Sequence, residues 1–549
     1  MISALALALL QQAPAPAKPP DPPPRFTVDQ IHAAGQVAGL DFTPEELAQM
    51  QKNVSEQIEG YQRLWKHPLD NAIPPAFVFA PLLPGMKIAP PAFAPKPIEL
   101  PDAAKVQRPA NLEDLAFADI PTLAALVQSR KVSCVELAKL SLDRLKKLDA
   151  KLHMIVNLTE ERALAQAAER DRELAQGKWR GPLHGIPWGA KDLLAVKGTP
   201  TTWGSRIYEH QVLDADATVV KRLDDAGAVL VAKLSLGEFA YGDLWFGGRT
   251  RNPWNPEEGS SGSSAGPAAA TASGCVAFSI GSETLGSIVS PCTRCGATGF
   301  RPTFGRVPRT GAMALSWTMD KLGPIARTVQ DAAIVLAAIQ GPDDQDPTCR
   351  EAPFAAAAPV DVRGWKVGFV EKDFERSPED KSVLDELKAL GVELVPVELP
   401  PQSVSAGDLL VILTSEAASA FDELTRDGRD AQMVWQDEEA WPNTFRATRL
   451  VPAVEYIRAS RVRTELARAM DEVFRKVDVY VHPSFAGASL VVTNLTGHPT
   501  IVAPHGLDPK KKTPRSICFT GRLFGETTLA AVAEAWQRST RYHLERPPL

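Results

Sequence analysis

A chain of 549 residues with 44% hydrophobic and 23% charged residues has ample material for a large core, which excludes global disorder. Its formal charge of −6 and single tight basic run, Lys510 to Lys512 between Pro509 and Pro514, leave no footprint for nucleic acid, and that run reads as a solvated loop. No stretch reaches the ~20 apolar residues that a transmembrane helix needs.

The N-terminal residues Ile2 to Leu10 form a short apolar run, and Ala13 to Ala17 alternate alanine with proline. Residues 1–24 are therefore expected to be a signal peptide with a Pro-rich linker, although the usual basic start is missing. Such a leader would send the protein to the periplasm or outside the cell; without that role it would stay in the cytoplasm. Thr43-Pro44-Glu45-Glu46 is a helix start signal, and helical periodicity continues to Trp65. From Pro68 to Pro101 prolines recur too often for a helix or a central strand. Residues 25–110 thus read as a helical and Pro-rich arm, free either to cover a site or to join two copies in a homodimer.

From Asn111 onward the pattern becomes regular. Helices are predicted at Pro121 to Ser129, Cys134 to Leu148 and Glu160 to Gln176. Strands are predicted at Ala228 to Ala232, Cys275 to Ile280, Trp365 to Phe369, Val392 to Val397 and Val477 to Val481. This alternation predicts an α/β fold over residues 111–549, a large mixed sheet covered by helices on both faces. Of the six cysteines only Cys292 and Cys295 have CxxC spacing. With no second pair a zinc site is not expected, and packing or, in an exported protein, a disulfide both remain open.

Residues 259–287 read GSSGSSAGPAAATASGCVAFSIGSETLGS. A flexible linker would suit the first six residues, but Pro267 near a helix start, four alanines, and Gly274 ahead of an apolar run describe a built element. Gly262 to Gly266 only loosely resemble a GxSxG elbow with Ser264 as nucleophile, and the turn-forming sequence Asn252 to Pro256 precedes them where a strand would be needed. The turn Gly281 to Ser287 is the stronger candidate. It leaves an apolar run and could aim consecutive N–H groups at one point, as acyl transfer requires. A serine nucleophile needs a base, yet all nine histidines are isolated and read as packing or surface residues. Lysine can serve if desolvation keeps its amine neutral, and Lys191 lies in the mostly uncharged stretch His184 to Lys191, where a strand-end surface lysine is the plainer reading.

Together these segments resemble the amidase-signature family. Gly181 to Ser205 read GPLHGIPWGAKDLLAVKGTPTTWGS, Ser261 to Gly274 align without a gap to its glycine-serine motif, and Gly281 to Ser287 align to GSDTGGS. NPWNP at Asn252 to Pro256, GFRPTFG at Gly299 to Gly305, GPIART at Gly323 to Thr328 and TNLTGHP at Thr493 to Pro499 follow in order. The resemblance implies a Ser-cisSer-Lys triad on a catalytic domain from about residue 111 to the C-terminus. Lys191 would be the base, Ser263 the relay through a cis peptide, and Ser287 the acylated nucleophile. The N–H groups of Thr284, Leu285, Gly286 and Ser287 would form the oxyanion hole. It implies a small-molecule amide substrate, no cofactor and no metal. Ser261, Ala265 and Pro267 depart from the family's Gly, Gly and Ser; Leu285 replaces Gly and Val289 replaces Arg.

Within that family the rival reading is the glutaminase component of glutamyl-tRNA amidotransferase, its A subunit, which releases ammonia from glutamine for a partner protein. Phe445 to Val473 contain no RRxxLGT-like segment of the kind usual in that component, and only nine residues separate Pro483 from Thr493. A catalytically dead scaffold is the other alternative, against which stands the joint presence of Lys191, Ser263 and Ser287. Trp188, Trp203, Trp245 and Trp317 lie in or near the signature segments, where core packing is expected for most and a pocket wall for the remainder.

Overall fold

Two helices open the described part of the chain, α1 (Val28–Val37) and α2 (Pro44–Trp65), each started by a threonine capping box. In α2 the Thr43 hydroxyl accepts from Glu46 N–H (3.3 Å) and the Glu46 carboxylate accepts from Thr43 N–H (2.8 Å), with Pro44 at the first helical position. The computed structural model describes residues 25–66, 69–357, 360–400 and 405–549. The expected leader and linker, residues 1–24, lie outside the described residues. The chain divides into two compact units, one ending at Asp70 and one spanning Asn71–Leu549.

In the larger unit residues 71–111 contain no helix and no named strand; Pro97 makes one isolated bridge to Ala357. Regular structure then begins with α3 (Ile120–Gln128), capped by Asp119, α4 (Cys134–Leu152), capped by Ser133 and Glu136, and α5 (Glu160–Ala175). Eleven strands build one mixed sheet: β1 (Ile155–Leu158), β2 (Pro187–Lys191), β3 (Val229–Leu234), β4 (Phe278–Glu283), β5 (Thr298–Arg301), β6 (Lys321–Ala326), β7 (Lys366–Phe369), β8 (Glu393–Pro396), β9 (Val479–Pro483), β10 (Thr500–Leu507) and β11 (Pro514–Gly521). Their spatial order is β1-β3-β2-β4-β6-β5-β10-β11-β9-β7-β8. Pairing is parallel for β3-β2-β4 and β9-β7-β8 and antiparallel elsewhere. The mixed α/β fold expected from the alternation is thus present.

Every residue of β2, β3 and β4 is buried, which is why these strands read as apolar runs rather than alternating ones. The strand expected at Cys275 to Ile280 sits three residues later, at Phe278–Glu283. Residues after Gly274, whose φ is +68°, complete the turn out of the preceding helix, and the strand runs on through Gly281, Ser282 and Glu283. Those polar residues can enter a buried strand because each finds a partner, as described below. The preceding helix, α6 (Ala265–Ala272), is buried along its whole length, which its small side chains allow. None of the described helices is long and apolar enough to cross a membrane.

Candidate active site

Lys191 ends β2 and Glu283 ends β4, and these neighbours run parallel with Ala190 opposite Ile280. Their carboxyl ends therefore open on the same side, where ligands bind in α/β sheets. Lys191 is completely buried. Its amine lies 2.8 Å from the Ser263 hydroxyl, 3.0 Å from the Ser264 hydroxyl and 2.8 Å from the Ser282 hydroxyl, and contacts the Ser282 carbonyl at 3.4 Å. The Ser264 hydroxyl donates to the Ser282 carbonyl (3.1 Å) and also accepts from Ser282 N–H (3.1 Å). That hydroxyl's proton is committed, so towards Lys191 it can only accept. The hydroxyls of Ser263 and Ser282 keep a proton to offer the amine.

Burial pushes the Lys191 amine well below the ordinary lysine value, against the raising influence of Asp320 and then Glu283. Among the described residues no carboxylate bonds to it. Lys233, equally buried on β3, differs in just this respect: its amine pairs with Asp192 at 2.7 Å, and that carboxylate accepts from the Thr202 N–H and hydroxyl as well.

The peptide bond Gly262-Ser263 is cis. A side chain at Gly262 would fall 1.8 Å from the Gly242 carbonyl oxygen, so only glycine fits there. Ser261, where the family pattern has glycine, takes the left-handed backbone itself (φ +59°). Its N–H donates to Asp243 (2.9 Å) and its hydroxyl shares a hydrogen bond with Ser290 (2.7 Å). Two polar contacts hold the departure from glycine in place.

After β4 the chain turns through Thr284, Leu285 and Gly286 (φ +78°) to Ser287. Ser264 N–H donates to the Ser287 carbonyl (3.1 Å), which ties this turn to the loop carrying Ser263. Ser287 Oγ is not itself bonded to the Lys191 amine. Among the described residues the N–H groups of Thr284 to Ser287 donate to no acceptor, so they are available to a ligand.

Glu283 fixes the turn from beneath. One carboxylate oxygen accepts from Ile288 N–H (2.8 Å) and Val289 N–H (2.9 Å); the other accepts from Arg301 (2.6 Å) and Asn494 (2.8 Å). Burial pushes its carboxyl up, but the Arg301 guanidinium outweighs that and leaves it lowered to about 2. Arg301 donates further to the Thr493 and Thr500 hydroxyls and the His498 carbonyl.

A cavity of about 250 Å³ opens beside Ser282 and Thr284. Leu193, Met313, Leu315 and Leu322 line it, with Asp320, Arg309 and Asp346 among its polar residues. Asp320 accepts from the Thr284 hydroxyl (2.6 Å) and from Leu315 and Ser316 N–H (2.8 and 2.9 Å). Of the four signature tryptophans only Trp317 lines this cavity; Trp188 stacks on Phe278 at 6.0 Å, and Trp203 and Trp245 belong to the buried core.

The described histidines take no part in the serine cluster. Burial lowers His482 and His505 to about 4 and His498 to about 3, and their partners are elsewhere. Cys292 and Cys295 are buried free thiols. Residues that the sequence left unassigned are Ser282, Glu283, Asp320, Arg301 and Asn494, and Ser264, weighed only as the nucleophile of a loose GxSxG match, bonds the Lys191 amine instead. Arg301 and Asn494 lie in GFRPTFG and TNLTGHP, so the order of motifs flagged their segments but not their contacts.

A family model for amidases matches residues 136–530. The chain belongs to the amidase-signature family. It is 33% identical over 467 residues to the A subunit of the glutamyl-tRNA(Gln) amidotransferase of Thermosynechococcus vestitus, covering 76% of this chain and 97% of that protein. Among solved structures, the native peptide amidase of Stenotrophomonas maltophilia superposes with a TM-score of 0.71 at 30% identity, covering 80% of this chain and 99% of that one. The corresponding amidotransferase protein of Thermotoga maritima gives 0.61 at 29% identity, covering 74% and 95%. This member of the family is an amidohydrolase.

Proposed function

We propose that the chain hydrolyses a carboxamide by acylation of Ser287. The proton of the Ser287 hydroxyl passes to Ser263 as the Ser263 proton passes to neutral Lys191, and Ser287 Oγ forms its bond to the substrate carbonyl carbon. The N–H groups of Thr284 to Ser287 stabilise the oxyanion, and Lys191 returns the proton through Ser263 to the departing amine. Water then releases the acid along the same proton path. The observation that carries this reading is a fully buried lysine amine 2.8 Å from the Ser263 hydroxyl with no carboxylate bonded to it among the described residues. Lys233, equally buried on β3, instead pairs its charge with Asp192.

The experiment is a panel of amides, anilides, esters and carbamates offered to the wild type and to Ser287→Ala, with fluorophosphonate labelling alongside. Turnover should fall roughly a thousandfold or more in the variant and labelling should vanish. Equal turnover by both would remove Ser287 from the mechanism.

A second reading keeps the same chemistry but makes glutamine the amide, with ammonia passed to partner proteins. The sequence relatives favour it: the amidotransferase A subunits of Thermosynechococcus vestitus and Carboxydothermus hydrogenoformans match over 97% and 100% of their own length. The better superposition on peptide amidase than on the Thermotoga maritima protein favours the first. Glutamine-dependent ammonia release, alone and in a lysate containing its partner proteins, separates the two.

A further inference from the structure

The cavity beside the serine cluster has a charge balance that bears on its occupant. Arg309 is its one lining arginine or lysine among the described residues, and its positive end is already spent. Its guanidinium pairs with both oxygens of Asp346 (3.0 and 3.3 Å) and donates to the Trp317 carbonyl (2.7 Å) and the Thr348 hydroxyl (3.0 Å). The pair cancels to no net charge. Asp320 remains, with three donors and, among the described residues, no cation bonded to it, next to the turn that carries Ser287.

The wall that holds Asp320 is tied down by hydrogen bonds. Glu416 accepts from the Ser316 hydroxyl (2.6 Å), Thr318 N–H (2.9 Å) and the Thr318 hydroxyl (2.7 Å), and Arg463 donates to the Thr318 hydroxyl and carbonyl (2.8 and 2.7 Å). The Arg463 guanidinium is thereby directed at Thr318 and not into the cavity, which it does not line. When a primary amide is cleaved the leaving ammonia needs no cavity, so the space belongs to the acyl group.

We propose that this cavity seats an uncharged or cationic, largely apolar acyl group and rejects amides whose acyl part carries a free carboxylate, with Asp320 enforcing the choice. The proposal rests on the amide-hydrolysis reading and selects among its substrates. A free carboxylate placed here would lose its water, meet Asp320, and find no unpaired cation among the described residues that line the cavity. Leu193, Met313, Leu315 and Leu322 offer a hydrocarbon chain the opposite reception.

Three amides of equal chain length test this: hexanamide, 6-aminohexanamide and the monoamide of adipic acid, compared by kcat/KM at pH 7.5, with L-glutamine as a fourth substrate. The wild type should favour the first two over the adipic monoamide by at least about tenfold. Asp320→Asn should narrow that gap several-fold, a change in the ratio that general loss of structure would not produce. Adipic monoamide or glutamine turned over as well as hexanamide would overturn the charge inference while leaving Ser287 in its role. An unchanged gap in a folded Asp320→Asn would overturn the assignment of Asp320. Turnover of no amide, or turnover that survives Ser287→Ala, would overturn the proposed function and this inference together. The wild-type comparison stands whether or not the variant folds.

Discussion

Replacing Glu283 by Gln tests the support beneath the nucleophile turn. Four donors converge on this carboxylate: Arg301, Asn494 and the N–H groups of Ile288 and Val289. An amide offers one acceptor oxygen and turns an NH2 group towards the other two donors, so either the ion pair or the turn loses its partner. A carboxyl lowered from 4.5 to about 2 contributes about 3 kcal/mol of stability at neutral pH. Removing one partner of a buried ion pair costs about 3–5 kcal/mol, the same range reached independently. The sign follows from the depressed value: the contribution is complete above the unfolded carboxyl's range and is lost as pH falls towards 2. Urea unfolding followed by tryptophan fluorescence should therefore give a gap of about 3 kcal/mol between wild type and Glu283→Gln at pH 7. That gap should shrink by about 1 kcal/mol between pH 5 and pH 3.5. The catalytic assay on the same samples should show kcat falling more than KM rises, because the turn holding residue 287 is loosened. A gap below about 0.5 kcal/mol, or one that does not narrow with acid, would refute the clamp.

Lys191→Arg should lower kcat/KM by at least about a hundredfold, because a guanidinium does not give up its proton at working pH, and thermal unfolding should show whether the fold survives the larger group. In the wild type the acid limb of kcat/KM should fall well below the ordinary lysine range, since burial lowers the amine, and it should move to lower pH in Asp320→Asn, which removes a group that raises it. Ser261→Ala should destabilise by about 1 kcal/mol in urea titrations, losing the bond to Ser290 while keeping the left-handed backbone. Ser261→Gly should be near neutral, as backbone relief offsets the same loss. Burial, then Asp119, raises the carboxyl of Asp331 to about 7, so the ionised form is penalised increasingly from about pH 4 up to about pH 7; Asp331→Asn should be more stable than wild type at pH 8, with the difference fading towards pH 4.

Much of the architecture was legible because it rests on local rules. The start signal at Thr43 marks a true helix start, and Cys134 to Leu148 and Glu160 to Gln176 fall on α4 and α5 within a few residues. Strand boundaries were less so. β4 moved three residues past its apolar run because Glu283 is satisfied by Arg301 and Asn494, which are distant in sequence and invisible to any local pattern. β2 was missed as a strand: Pro187 to Lys191 contain proline, glycine and lysine, and only burial between β3 and β4 makes them extended. The serine cluster was readable from motif order, which named Lys191, Ser263 and Ser287. Ser264 was weighed only as the nucleophile of a loose GxSxG match and Ser282 was not singled out, since their contacts with Lys191 depend on where β4 brings them.

The contrast between Lys191 and Lys233 shows how the sheet makes such a cluster. Lys191 and Asp192 are adjacent in sequence, and a lysine beside an aspartate would ordinarily find its charge partner there. Strand geometry prevents it, because successive side chains point to opposite faces. Ala190 lies opposite Lys233 on β3, so Asp192, two residues beyond Ala190, shares that face and pairs with Lys233. Lys191 is left on the other face, towards the loop of Ser263 and the end of β4, where only hydroxyls and a carbonyl reach it. The same alternation that pairs one lysine withholds a carboxylate from the other. A shift of β2 by one residue would exchange their surroundings and place the charged pair where the serines now stand.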